Sequence, residues 1–195
     1  MRTLHGGIAQ ALALAKEATA ESDVCAILGD NVFLDDLSGA VQNFTSGAHL
    51  FLQEVPDPER FGVVEMAEGQ VVSIEEKPAK PKSNLIQTGC YLYDARYSEA
   101  IAGLTPSARG ELEITDVNTW YLERGELSAT VLEHEWIDAG TFDSLLHAAN
   151  VVAKRAEVEV VQQQVSERLI TQKAMGEKRE ARSESVQFES TTIGL

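Results

Sequence analysis

Five apolar residues that run straight into glycine and aspartate, Val24-Cys-Ala-Ile-Leu28 followed by Gly29-Asp30, constrain this chain more than any other segment. An unbroken apolar run of that length predicts a short strand buried on both faces, the habit of strands in a parallel sheet. A strand of that kind needs a covering layer on each side, and the neighbouring segments carry helical patterns that provide it. Ile8, Ala11, Leu12 and Ala15 recur at helical spacing and predict a helix over 6–20. His49–Val55 reads as a second strand, Val63–Met66 and Val71–Ile74 as a hairpin around Gly69, and Thr88–Tyr93 as a further strand. Ile114, Val117 and Tyr121 mark a helix that Gly125 stops, and Leu127–Leu132 is the last strand. Thr141 then suits the N-cap of a helix through Leu145, Ala149 and Val152. Strands alternating with helices, plus one hairpin, predict an α/β layered domain with a mixed sheet, with Val24–Leu28 central in it.

Charge separates this body from the end of the chain. Residues 1–150 hold 9 basic and 24 acidic residues, so the whole formal charge of −15 lies there. Residues 151–195 hold 7 of each, with Phe188 their one aromatic. A folded domain is therefore expected over 1–165. Residues 166–195 are expected to be a weakly ordered or disordered tail, too poor in apolar groups to offset its ordering entropy. So acidic a body has no electrostatic footprint for nucleic acid, and an anionic membrane would repel it. No apolar run approaches a membrane span, and Met1-Arg-Thr-Leu-His5 opens without a signal-peptide core, which predicts a cytoplasmic protein. Cys25 and Cys90 both lie within apolar runs and are expected to be buried, reduced thiols.

Candidate chemistry gathers at strand ends. Gly29-Asp30 follows a predicted strand, at the edge where open α/β sheets bind ligands. Asp30 is either a turn residue or a hard oxygen ligand for Mg²⁺. Asp138, within Trp136-Ile-Asp-Ala-Gly-Thr141, is a second strand-end carboxylate ahead of a helix, again either a turn residue or a ligand. Two such carboxylates suit one Mg²⁺, which commonly takes one or two and leaves its other positions to water and phosphate. Lys77, in Glu75-Glu-Lys-Pro78, is held by the following proline, either as a solvated lysine or as a point charge for phosphate. Gly62, in Asp57-Pro-Glu-Arg-Phe-Gly-Val-Val-Glu65, permits close approach of a ligand to the backbone. The four histidines have no metal-ligand spacing, and no nucleophile elbow, Cys-x-x-Cys or Walker loop is present.

Seven segments, taken in order, closely resemble the sugar-phosphate nucleotidylyltransferases. They are Gly7-Ile-Ala-Gln-Ala11, Leu28-Gly-Asp-Asn31, the Asp57–Glu65 run, Glu75-Glu-Lys-Pro78, Thr88-Gly89 with Tyr91, Gly110-Glu-Leu-Glu-Ile-Thr-Asp-Val-Asn118 and Trp136–Thr141. The resemblance implies a Rossmann-like nucleotidyltransferase domain that joins a sugar 1-phosphate to a nucleoside triphosphate and releases pyrophosphate. It points first to the branch using glucose 1-phosphate and dTTP. It implies that Gly7, Gly29 and Asp30 serve the nucleotide, and that Asp30 and Asp138 hold Mg²⁺. Gly62, Glu76, Thr88, Gly89 and Tyr91 would line the sugar pocket, and Lys77 would grip the sugar phosphate. Lys77, Asp30 and Asp138 are thus the expected catalytic set, and a homo-oligomer is possible. The attacking phosphate oxygen is already ionised at pH 7, which suits a motif set with no general base.

The sequence departs from the family pattern at both ends. The family opens with a strand and a Gly-x-Gly-Thr-Arg loop that wraps a triphosphate with backbone N–H groups, and no such loop stands in these residues. After about residue 155 the resemblance stops. The expectation is a domain lacking its first strands and Gly-rich loop, with an unpaired edge at Val24–Leu28 or a neighbour, and inactive by itself. A non-catalytic binding or assembly subunit that retains only the sugar-phosphate and metal half of the site is the alternative.

Overall fold

The computed structural model describes residues 6–19, 22–158 and 162. The elements in chain order are α1 (Gly7–Thr19), β1 (Val24–Ile27), β2 (Asn31–Phe33), α2 (Ser38–Asn43), β3 (Ala48–Glu54), β4 (Gly62–Ala67), β5 (Gln70–Glu76), β6 (Leu85–Tyr93), α3 (Tyr97–Ala102), α4 (Ile114–Leu122), β7 (Leu127–Val131) and β8 (Trp136–Asp138). A further helix covers 142–158. The chain divides into two compact units, Met1–Thr141 and Phe142–Leu195. The expected tail, 166–195, lies outside the described residues.

The main sheet runs β5-β4-β6-β3-β7, with β1 also paired to β6, and β2 and β8 form a separate two-stranded sheet. β3 and β7 are parallel, and the other pairs are antiparallel, so the sheet is mixed as the alternation of elements predicts. The strand at its middle is β6. Leu85 is half-buried and the eight residues after it are buried, which explains their nearly continuous apolar and aromatic character.

Pleating sends alternate side chains of β3 and β6 into two apolar layers. Leu50, Leu52, Tyr91 and Tyr93 join Ala9, Leu12, Tyr97, Ile101, Val117 and Tyr121, the inward faces of α1, α3 and α4. Phe51, Cys90 and Leu92 join Leu132 in the other layer, where Phe33, Leu37, Phe44 and Trp136 pack on them.

Val24–Leu28 is not the central, doubly buried strand that its composition predicts. β1 pairs antiparallel with β6, from Val24 opposite Tyr93 to Ile27 opposite Cys90, and no other described strand joins it. Val24 and Ala26 pack on the first apolar layer. Cys25 and Ile27 point the other way and are exposed, Ile27 at 58%. An apolar run reports a preference for burial on both faces, and neighbouring strands decide whether both are covered. Cys90 is buried as expected; Cys25 is not. No helix among the described residues is long and apolar enough to cross a membrane.

Candidate active site

The strand ends converge on one cavity of about 550 Å³ lined by Asp30, Gly62, Glu76, Lys77, Thr88, Gly89, Tyr91 and Asp138, eight of the ten residues singled out from sequence. Gly7 and Gly29 are not among its lining; Ile8 stands there instead. Gly7 adopts φ +77°, and a Cβ on it would come within 2.6 Å of the Leu112 carbonyl, so glycine is required there for packing against 111–112.

The small sheet brings the two aspartates together. β2 and β8 pair with Asn31 opposite Asp138, and the Ala139 N–H donates to the Asp30 carbonyl at 2.7 Å. Both carboxylates face Gly140, whose absent Cβ would lie 3.0 Å from Asp138 Oδ1 and 3.6 Å from Asp30 Oδ2. Asn31 organises this corner: its Nδ2 donates to Asp30 Oδ1 at 2.9 Å. Its Oδ1 accepts from Gly89 N at 2.9 Å and from Trp136 Nε1 at 2.6 Å. Gly89 has to be glycine here, because a Cβ would stand 2.5 Å from Asn31 Oδ1.

The wall carrying Glu76 is built from a buried polar chain. Tyr93 OH donates to Asn118 Oδ1 (2.5 Å), Asn118 Nδ2 to Gln87 Oε1 (2.7 Å), Gln87 Nε2 to Thr115 Oγ1 (2.7 Å), and Thr115 Oγ1 to Glu76 Oε2 (2.5 Å). Every donor points toward the carboxylate, which can only accept when ionised, so the sense of the whole chain is set from that end. Tyr93 and Asn118 are fully buried, Thr115 and Gln87 nearly so. Arg109 donates to the other oxygen of Glu76 at 3.2 Å and to both oxygens of Glu113. Burial pushes the Glu113 carboxyl up, but the bonds from Arg109 and Ser107 outweigh it and hold its pKa below the usual value.

Lys77 is exposed on the cavity wall, and its backbone lies in the left-handed region at φ +44°. A residue before proline is expected to be extended, so Pro78 does not fix Lys77 in the way the sequence suggests. The hairpin fixes it instead: Lys77 N donates to the Phe61 carbonyl at 2.9 Å, continuing the β4–β5 ladder by one residue. A non-glycine residue in this conformation is strained, and such strain persists where surrounding structure over-determines it. Gly62, opposite Glu76 in that ladder, leaves room for Gln87, whose Nε2 would be 2.3 Å from a Cβ. Tyr91 is buried, and burial, then the charge on Glu76, raises its phenol well above the ordinary range. The hydroxyl of Thr88 donates to the Phe51 carbonyl at 2.8 Å.

Sequence reasoning missed Asn31, Arg60, Gln87, Arg109 and Thr115. Arg60 lines the cavity and is paired with Asp57 at 2.8 Å. A signal for Thr115 and Asn118 was present: they share a helical face with Ile114, Val117 and Tyr121, and a polar residue at a core position must find a partner. Asn31 and Arg109 carry no such mark, because Gly89 and Trp136 beside Asn31, and Glu76 beside Arg109, come from distant segments. Arg60 pairs within its own turn, and nothing local sets it apart from a solvated arginine.

The chain is similar to known proteins in sequence and in fold. Residues 1–155 match the nucleotidyl transferase family. A glucose-1-phosphate thymidylyltransferase of Neisseria meningitidis is 47% identical over 154 residues, covering 75% of this chain and 53% of the relative. One of Mycobacterium tuberculosis is 45% identical over 152 residues, with the same two coverages. A structure from Bacillus anthracis assigned as a glucose-1-phosphate thymidylyltransferase, in complex with sucrose, superposes with a TM-score of 0.70 at 47% identity, over 77% of this chain and 62% of that one. A UDP-glucose pyrophosphorylase complexed with UDP-glucose gives a TM-score of 0.68 at 20% identity, over 79% and 64%, a likeness of fold. The chain spans about half the length of the curated relatives it matches.

Proposed function

The chain belongs to the nucleotidyl transferase family, and from that premise we propose that its cavity is the sugar-phosphate and metal half of a nucleotidylyltransferase site. The substrates are a sugar 1-phosphate, glucose 1-phosphate in the first instance, and a nucleoside triphosphate, dTTP in the first instance. A phosphate oxygen of the sugar phosphate bonds to the α-phosphorus, the bond to the departing pyrophosphate breaks, and a nucleotide-sugar results. The observation that carries this is the meeting of two strand-end carboxylates with Lys77 and Glu76 on one cavity.

Lys77 holds the attacking phosphate as a compact charge in a fixed backbone position, which aligns it for in-line transfer. Glu76, oriented by Thr115 and Arg109, accepts from a sugar hydroxyl with its remaining lone pairs. Tyr91, Gly62, Gly89 and Thr88 form the wall against the sugar. Gly7 and Gly29 serve the nucleotide, a role that rests on the resemblance in sequence. The donor set suits Mg²⁺: Asp30 and Asp138 offer hard oxygens, and Oδ2 of each accepts no hydrogen bond among the described residues. When bound there, the ion offsets negative charge on the reacting phosphates. The acidic body fits small anionic substrates brought by metal and Lys77, in the cytoplasm, and does not fit nucleic acid.

Calorimetry with glucose 1-phosphate and Mg²⁺ tests this half-site. Lys77→Ala removes a charged partner and should weaken binding about tenfold or more. Asp138→Asn should abolish its dependence on Mg²⁺. Supplying the part of a relative that lies outside the matched region, with dTTP, should then give pyrophosphate release that Lys77→Ala suppresses. Equal affinity with and without Lys77 would overturn the assignment.

A further inference from the structure

The two cysteines of the chain meet on one face of the main sheet, at its edge. Cys25 lies opposite Leu92, and Ile27 opposite Cys90, so the cysteines occupy diagonal positions on adjacent strands and their sulfurs are 4.0 Å apart. Cys25 is exposed, whereas Cys90 is buried at 2% among Phe51, Leu92 and Leu132. A disulfide needs the sulfurs about 2 Å closer. β1 can supply that, because it has four residues and its ladder to β6 is the one it makes among the described strands.

We propose that Cys25 and Cys90 form an intramolecular dithiol–disulfide site that takes low-molecular-weight disulfides as oxidant, with Cys25 attacking and Cys90 resolving. The Cys25 thiolate attacks one sulfur of the reagent R–S–S–R, forming a Cys25–S–S–R bond and releasing one thiolate, R–S⁻. Cys90 loses its proton to that thiolate, and its sulfur then attacks Cys25 Sγ and expels the second R–S⁻, which takes a proton from solvent. Two protein thiols are oxidised, and one reagent disulfide is reduced to two thiols.

The division of roles follows from exposure and ionisation. Only Cys25 is open to a reagent in solution. A hydrogen bond from the Cys90 thiol stabilises its thiolate and outweighs the effect of partial burial, bringing its pKa to about 7. A thiol with a pKa near ambient pH combines thiolate fraction and nucleophilicity best. Cys90 is raised far above the usual range by its bond to Cys25 and by burial, so it waits until a leaving group is delivered beside it. The bond would close next to Gly89, whose carbonyl accepts from Leu28 N at 2.8 Å, pinning the edge strand to the strand that lines the cavity.

Cystamine is a suitable probe, because its positive charges are attracted to a chain of net charge −15. Treated at pH 7 and low protein concentration, the wild-type chain should fall in intact mass by two hydrogens. Digestion should yield a peptide pair joined through Cys25 and Cys90, and dithiothreitol should reverse the change. Cys90→Ala should keep one half of cystamine attached to Cys25, and Cys25→Ser should stay unlabelled over the same time. A stable cystamine adduct on the wild-type chain, a disulfide between two chains, no reaction, or labelling of Cys25→Ser as fast as that of Cys90→Ala would each overturn the proposal. The wild-type mass and peptide map decide the matter even if the buried substitution disturbs folding.

Discussion

Glu76 and Asp30 are both carboxylates on the wall of one cavity, yet they are held by different means. Glu76 ends a run of hydrogen bonds that passes through Thr115, Gln87 and Asn118 to Tyr93, side chains buried between α4 and the sheet. Asp30 is exposed after a short edge strand, and among the described residues its neighbour Asn31 is the one side chain that binds it. A buried polar chain is stable only when every member is satisfied, so the Glu76 wall is rigid and ties the site to the folding of the domain. The Asp30–Asp138 corner depends on a two-stranded sheet and leaves Oδ2 of each carboxylate without a hydrogen bond among the described residues. It can adapt to whatever binds there, at the expense of little intrinsic stability.

The contrast is broken most directly in the middle of the chain of bonds. Asn118→Ala leaves the Tyr93 hydroxyl and the Gln87 carbonyl without partners in a buried place, and opens a small cavity. The loss should be about 3 kcal/mol, read as a lower urea midpoint at unchanged slope. Asp30→Asn, an exposed change, should stay within about 0.5 kcal/mol of wild type. If the two variants are equally stable, the walls do not differ as described.

Acid should separate the regions next. Asp94 is pushed up by burial but held below its usual pKa by bonds from Arg96, Gly47 and Tyr121, and Glu113 is lowered likewise by Arg109 and Ser107. A carboxylate with a lowered folded pKa contributes stability that is present above its unfolded value and lost as pH falls through the folded one. Burial lowers the pKa of His49, so unfolding takes up a proton once pH drops below about 6.5. Stability should therefore decline gently from about pH 6.5 and more steeply below about pH 4.5. Glu113→Gln should shallow that steep limb, in urea midpoints measured across pH.

The smallest effect has the opposite sign. Lys77→Gly relieves the positive φ and should raise stability by about 0.5–1 kcal/mol, while removing the charge proposed to hold phosphate. A drop in the unfolding midpoint would show that the lysine stem, and not its backbone, matters to the fold.

The sequence by itself determined the periodicities, and with them α1, α4, the hairpin and the strands around Leu50 and Tyr91. It also determined the ordered motifs that mark the family, because these are local patterns of apolar spacing and side-chain type. What lies next to what was beyond it. Val24–Leu28 looks doubly buried because five apolar residues prefer to be so, but the ladder gives β1 one partner among the described strands and leaves Cys25 outside. Pro78 predicts an extended Lys77, and the bond to the Phe61 carbonyl overrides it. Thr115 and Asn118 hint at buried partners without naming Gln87 or Glu76. Asp30 and Asp138 become neighbours only when β2 pairs with β8, and Cys25 reaches Cys90 only through the register of β1 on β6. Local preference acts within a few residues along the chain, whereas these contacts are fixed by hydrogen bonds and packing between segments far apart in it, which only the tertiary structure decides.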